Sequence, residues 1–519
     1  MLVEEFLEQS ANHFPDKVAL ITDKQRLTYR QIEERTNRLA QTLISEGVNR
    51  GDRVAVYLEN SAEAVLSIFS ILKAGAVFVV INPTTKTEKL IHILNSCRVT
   101  ALVTGSNKGA IIDEAWPQVP SLNVLFVEGS FEIPQASRRI LQLDRILSEG
   151  ECSEPPAKKC IDIDLAALIY TSGSTGKPKG VMLTHLNIIS AAASITTYLE
   201  NRTDDIILSA LPLAFDYGLY QVLMAFKIGG TLVLERSFTY PFAVIDKLIR
   251  EKVTGFPIVP TMAAILLQMD LAKYNFSSLR YITNTAAALP AEHVCRLRNV
   301  FPHTRLYSMY GLTECKRVSY LPPEQLDFRP GSVGKGMPNE EVYIVDEEGR
   351  RVAPGLVGEL VVRGSHVMRG YWELPEETCR MLRSGPLPGE NVLYTGDLFK
   401  MDDEGYLYFV GRRDDIIKTA GEKVSPKEVE DVLCKLAGVA EAAVIGVPDN
   451  ILGQSILGVI VLKEGARLDE RNVLLHCKAN LEDFMLPKNI VIRKERLPKS
   501  SNGKIDKREL SAELTKSLR

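Results

Sequence analysis

The stretch Leu165-Ala166-Ala167-Leu168-Ile169-Tyr170, followed by Thr171-Ser172-Gly173-Ser174-Thr175-Gly176-Lys177-Pro178-Lys179-Gly180, decides how the rest of the chain is read. Its apolar half predicts a short buried strand. Its polar half combines hydroxyls, glycines and two lysines. Glycines let a backbone approach a ligand closely, hydroxyls and free N–H groups donate to phosphate oxygens, and lysines supply countercharge. A polyphosphate cradle is the physical expectation. It is not of the Walker type, because Thr171 stands where the first glycine belongs and Pro178 follows Lys177. A plain Gly/Ser loop between strands is the alternative, and the paired lysines argue against it.

Outward from this loop, helical and strand periodicities alternate. Val3–His13, Arg30–Glu46 and Ala62–Lys73 show helical spacing, while Arg53–Tyr57 and Val77–Ile81 read as strands. Beyond the loop come strands at Ile206–Leu211, Thr231–Leu234 and Gly255–Val259, with helices at Tyr220–Lys227 and Phe242–Lys252. Such alternation predicts parallel sheets covered by helices. Gly129–Pro156, richer in charge and proline, reads as a surface connection. From Gly331 the texture changes to short strands split by turns (Val342–Val345, Gly358–Arg363, Tyr406–Val410), typical of antiparallel sheet or a small barrel. After Gly411 a compact α+β unit follows, with helices at Pro426–Leu436 and Asp469–Leu481 and strands at Glu441–Ile445 and Ser455–Leu462.

The expected fold class is therefore α/β: a large N-terminal domain of parallel α/β subdomains plus a small β-barrel, with a mobile α+β C-terminal domain. The boundaries are residues 1–411 and 412–519. A chain of 519 residues exceeds what one core usually holds. A short polar hinge at Arg412–Asp415 lets the small unit rotate and present different residues to one cleft; an ordinary linker with a fixed interface is the alternative.

Composition sets limits. With 45% hydrophobic and 24% charged residues and a net charge of −3, nothing points to nucleic acid or an anionic membrane as partner. No run is long and apolar enough to span a bilayer, and the acidic N-terminus lacks the layout of a signal peptide. The eight cysteines are scattered without a CxxC pair. Free thiols in a reducing cytoplasm are expected, with neither disulfide framework nor zinc site.

The loop Thr171–Gly180 resembles the phosphate-loop signature of the adenylate-forming superfamily of acyl-CoA synthetases, peptide-synthetase adenylation domains and luciferases. Further signatures stand in the family's order: Leu72-Lys73-Ala74-Gly75-Ala76, Tyr310-Gly311-Leu312-Thr313-Glu314, Gly358-Glu359-Leu360, Tyr394-Thr395-Gly396-Asp397, Gly411-Arg412-Arg413-Asp414-Asp415 and Asn502-Gly503-Lys504. The resemblance implies that ATP and Mg²⁺ are used to convert a carboxylic acid into an acyl-adenylate, which then passes to a thiol.

By that resemblance Thr171, Ser172, Thr175 and Lys179 handle the β- and γ-phosphates, and Gly173, Gly176 and Lys177 shape the loop. Tyr310 would stack on adenine and Thr313 would bond the α-phosphate. Glu314 would hold Mg²⁺, which prefers oxygen ligands; a solvated turn glutamate is the alternative. Asp397 would accept the ribose hydroxyls with Arg412 assisting, and Asp414 occupies the hinge. Lys504 would bridge the substrate carboxylate and the α-phosphate, offsetting repulsion between two anions; composition alone would make it a surface lysine. Gly421, within Lys418–Lys423, falls on the segment that lines a pantetheine tunnel in relatives. No carrier segment follows Leu510, so the thiol is expected on another molecule, CoA or a separate carrier protein.

The specificity region is Leu211–Gly218. Its Phe215-Asp216 pair resembles amino-acid-activating domains, in which the aspartate holds the substrate ammonium; a helix cap is the alternative role for Asp216. Tyr217, Tyr220, Ile282, Asn284, Met309 and Val318 complete a compact pocket by the same resemblance. A small amino acid such as proline, loaded onto a carrier protein, is the expected substrate, as in free-standing prolyl ligases. A fatty or aromatic acid joined to CoA is the alternative, and a non-catalytic homologue is a third, opposed by intact Thr313, Glu314, Asp397 and Lys504. Lys316 and Arg317 depart from the small residues of many relatives, and either could bind an acidic substrate or a carrier phosphate, or neutralise Asp216.

Overall fold

The structure is a computed structural model that describes residues 1–129, 139–149, 153–171, 178–285, 289–419, 422–449, 452–499 and 504–517. The apolar stretch before the phosphate loop is the strand Leu165–Thr171, at the heart of an eight-stranded sheet. Its parallel neighbours run outward through Val77–Val80, Arg53–Tyr57, Val99–Gly105 and Val124–Glu128 to Arg139–Gln142. On the other side Lys179–Thr184 returns antiparallel, pairing Thr171 with Lys179. The phosphate loop therefore closes a hairpin; Ser172, Gly173, Thr175 and Gly176 lie outside the described residues.

Gly129–Pro156 departs from its reading as a plain connection. Arg139–Gln142 adds an edge strand to the sheet, and Leu143–Glu149 forms a helix that buries Leu143 and Leu147. Charge and proline around a short edge strand mask its alternation.

A second sheet runs parallel from Val18–Ile21 through Thr231–Leu234, Ile206–Ser209, Gly255–Ile258 and Tyr281–Asn284 to Arg305–Tyr310. It continues antiparallel through Ser319–Leu321, Ser332–Gly336, Leu407–Arg412, Asn391–Met401 and Val357–Gly364 to Glu340–Val345. This extension is where the Gly- and Asp-rich turns fall. The helix Ala62–Lys73 is buried along its whole length, as its nearly continuous apolar sequence requires. Its Phe69 stacks on Phe226 of the helix Asp216–Lys227 with ring centroids 5.2 Å apart.

The smaller C-terminal domain holds a five-stranded sheet flanked by the helices Pro426–Lys435 and Glu470–Asn480. Its two buried clusters, around Val429, Leu433 and Ile460 and around Val459, Leu497 and Leu510, share no residue with the core of the large domain. Among the described residues no helix is long and apolar enough to cross a membrane, and the described cysteines are unpaired.

Candidate active site

The strand Arg305–Tyr310 ends in the tight turn 311–318, which carries Thr313 and Glu314 and returns as Ser319–Leu321. The turn depends on Gly311, since a Cβ there would collide with the Lys316 carbonyl, and on Lys316 taking a left-handed φ of 64°. Glu314 is held from outside the turn. Its Oε1 accepts a 2.6 Å bond from the Tyr371 hydroxyl, and its carbonyl accepts from the Met368 amide at 2.7 Å. Tyr371 sits on the short strand Gly370–Tyr371, which pairs with Lys179–Thr184. The Lys179 ammonium lies 5.5 Å from the centroid of the same ring and 4.0 Å from Glu377. One tyrosine thus joins the root of the phosphate hairpin to the glutamate of the turn.

Opposite, Asp397 lies on Asn391–Met401 in register with Arg412. Its Oδ2 accepts a 2.6 Å hydrogen bond from the Tyr310 hydroxyl, and Arg412 Nε stands 3.4 Å from Oδ1. The Tyr310 ring meets Phe399 edge-on at 4.8 Å. Burial raises the Asp397 pKa, and Arg412, Tyr310 and Lys504 each counter that rise. Oδ1 is buried yet accepts no hydrogen bond from any described residue. A buried acceptor left open in this way suits a hydroxyl-bearing ligand.

Lys504 comes from the C-terminal domain and reaches the same cleft. Its side chain is exposed, yet the protein packed around it and the Arg412 charge lower its pKa, while Asp397, Asp216 and Glu314 favour the charged form. All three carboxylates are therefore within electrostatic reach of one ammonium.

The pocket residues gather on the helix Asp216–Lys227 and the strands facing it. This helix begins earlier than its apolar spacing suggests, because Gly218 lets the first turn press against the Pro212 carbonyl, where a Cβ would collide. Asp216 forms no side-chain cap; Phe215 precedes the helix and Asp216 opens its first turn. The Tyr217 hydroxyl bonds Thr283 Oγ1 at 2.7 Å, Met309 Sδ accepts from the Tyr198 hydroxyl at 3.1 Å, and Ile282, Asn284 and Val318 are buried around them. Lys316, 3% exposed, puts its ammonium 3.3 Å from Asp216 Oδ2 and 4.5 Å from the Tyr220 ring centroid. Burial brings the Lys316 pKa down to about 7, with Asp216 opposing. Sequence reasoning left this partnership as one of several roles for Lys316, and it missed Tyr371 altogether.

Among the described residues no group of three metal-ligating side chains converges. The donor set fits Mg²⁺ nevertheless, because that ion is commonly held by one or two carboxylates together with substrate phosphates. Glu314 supplies a carboxylate beside the phosphate hairpin. The implied tunnel residue Gly421 lies outside the described residues, and Asp414 sits on the exposed turn Arg413–Asp415.

Asp397 and Glu314 thus stand beside the phosphate hairpin, with Lys504 of the C-terminal domain within their electrostatic reach. A family model described as AMP-binding enzyme matches residues 7–372, and one described as AMP-binding enzyme C-terminal domain matches residues 428–504. The chain belongs to the AMP-binding enzyme family. It is 31% identical to a long-chain-fatty-acid–CoA ligase of Bacillus subtilis (strain 168) over 99% of this chain and 94% of that protein. It resembles ATP-bound MatB from Rhodopseudomonas palustris with a TM-score of 0.90 at 28% identity, covering all of both chains. Apo MatB, at the same identity and coverage, gives 0.79. An anthranilate CoA ligase, AuaEII, bound to anthranoyl-AMP gives 0.87 at 29% identity over 99% of this chain and 97% of that one. The protein is thus an AMP-forming ligase that uses ATP and passes through an acyl-adenylate.

Proposed function

We propose that the protein is an acyl-CoA ligase for a carboxylic acid without an α-ammonium group, rather than a prolyl–carrier-protein ligase. The observation that carries this reading is the Lys316–Asp216 pair. An aspartate that receives a substrate ammonium must be open to it, and here the chain's own lysine already meets that carboxylate. A substrate ammonium would have to displace that lysine to reach the carboxylate. The fatty-acid and anthranilate ligases among the relatives support the same reading.

In this reading Thr171, Ser172, Gly173, Thr175, Gly176 and Lys179 surround the β- and γ-phosphates, and Asp397 with Arg412 receives the ribose. Tyr310 flanks the adenine and Thr313 bonds the α-phosphate. Mg²⁺, held by Glu314, would neutralise charge on the phosphates. Lys504 draws the substrate carboxylate to the α-phosphate. A carboxylate oxygen bonds to phosphorus, the bond to the β-phosphate oxygen breaks, and pyrophosphate leaves. With the domain boundary at residue 412, rotation about Asp414 then withdraws Lys504 and brings the segment around Gly421 to the cleft. The CoA thiolate attacks the acyl carbon and AMP departs.

Pyrophosphate exchange over amino acids and simple carboxylic acids, followed by detection of CoA thioester, tests this reading. Exchange with carboxylic acids and thioester formation with free CoA are expected. Exchange with amino acids alone, or transfer only to a carrier protein, would overturn it.

A further inference from the structure

Resting on that reading of the pocket, the structure assigns Arg317 as an anion-binding subsite, and we propose that the acid activated here carries a second acidic group at its far end. Arg317 is among the largest fully buried side chains, at 2% exposure. Its Nε is buried and meets no hydrogen-bond acceptor, and no ion pair to its guanidinium exists among the described residues. Burying a guanidinium without a counter-ion is costly, so such groups are ordinarily paired.

The nearby acids are already engaged. Asp216 meets Lys316, and Glu314 accepts from Tyr371 and faces the phosphate hairpin. Asp216 already faces Lys316, and among the described residues no carboxylate forms an ion pair with Arg317. The guanidinium carbon lies 5.4 Å from the Tyr217 ring centroid, one residue before the pocket residue Val318. Its charge also acts on the Tyr198 and Tyr217 hydroxyls, whose ionisation burial strongly disfavours. Tyr198 is within hydrogen-bond reach of Arg317, but burial keeps both hydroxyls un-ionised as they donate to Met309 and Thr283, so neither supplies the missing anion.

Two cations with separate tasks follow. Lys504, at the mouth, serves the carboxylate that reacts; Arg317, within the pocket, receives an anionic group that does not. A guanidinium presents paired donors suited to a carboxylate, so a dicarboxylic acid is the simplest substrate of this class.

The test compares CoA-thioester formation from a short dicarboxylic acid, its monoamide and the monocarboxylic acid of equal length. It uses wild type, Arg317→Met and Arg317→Lys. Wild type is expected to favour the diacid by at least about 10-fold in kcat/KM. Arg317→Met should lose that preference, and Arg317→Lys should retain part of it. Equal preference in wild type and Arg317→Met, or a wild type that favours the monoacid, would overturn the subsite while leaving the ligase reading intact. Calorimetric binding of the diacid and its monoamide to wild type reads the same preference without turnover and without a folded variant. Tighter diacid binding supports the subsite even if no thioester forms and the ligase reading fails. Equal or weaker binding overturns it.

Discussion

The Tyr371 hydroxyl donates a 2.6 Å hydrogen bond to Glu314 Oε1, and the same ring faces the Lys179 ammonium 5.5 Å from its centroid. The group expected to hold Mg²⁺ and the lysine expected to meet the β- and γ-phosphates are thereby joined by one side chain from a two-residue strand. Removing the hydroxyl frees the carboxylate to rotate but leaves the ring under Lys179. Tyr371→Phe should lower kcat/KM for ATP about 10-fold, the effect of losing a bond to a charged group. Raised Mg²⁺ should partly restore it. A variant with unchanged magnesium dependence would show that Tyr371 only packs.

Tyr310 and Asp397 make a second such pair, with a 2.6 Å bond that fixes Oδ2 and leaves Oδ1 open. Tyr310→Phe keeps the ring against Phe399 and frees the carboxylate. An increase of about 3- to 10-fold in KM for ATP is expected, the scale of one hydrogen bond. Asp397→Asn should cost more, because it also weakens the contact with Arg412. Equal KM values for both variants and wild type in pyrophosphate exchange would contradict a nucleotide role for the pair.

Burial of Lys316 gives a pH signature in stability. Its folded pKa is about 7, against an ordinary value of 10.5. Between those values the unfolded chain binds the proton and the folded chain does not, so stability rises with pH across that window. Below it both states are protonated and the full penalty of a buried charge persists. The gain is at most about 1.4 kcal/mol per pH unit. Lys316→Met removes it, while the groups that both proteins share contribute a constant offset. Urea midpoints at pH 6.5 to 9.5 should show wild type gaining on the variant as pH rises; a constant difference would show that Lys316 stays charged.

The sequence carried the architecture wherever periodicity is strong. The helix Ala62–Lys73 and the strand Arg53–Tyr57 are legible because unbroken apolar patterning admits few alternatives. The strand Arg139–Gln142 is not, since a four-residue edge strand with charged neighbours has no period to read. The first turn of Asp216–Lys227 was hidden by a glycine that packing against Pro212 requires, although glycine ordinarily disfavours helix. The site was partly legible for the same kind of reason. Motif residues announce themselves by spacing along the chain, whereas Lys316 and Asp216, 100 positions apart, and Tyr371 and Glu314, 57 apart, meet only through the register of two sheets.

The last prediction concerns the lysine that crosses between domains. The charge on Lys504 is favoured by Asp397, Asp216 and Glu314 and opposed by desolvation and by Arg412, so further anions would stabilise it. A substrate carboxylate and an α-phosphate would provide them, so the charge stabilises adenylate formation more than the free enzyme. Lys504→Ala should slow adenylate formation by about 100- to 1000-fold. Thioester formation from supplied acyl-adenylate and CoA should remain within a few-fold of wild type, because the rotated domain carries Lys504 away from the thiol. Rapid-quench measurement of the two half-reactions separates these outcomes. Equal loss in both would mean that Lys504 maintains the domain interface instead of acting on the reacting groups.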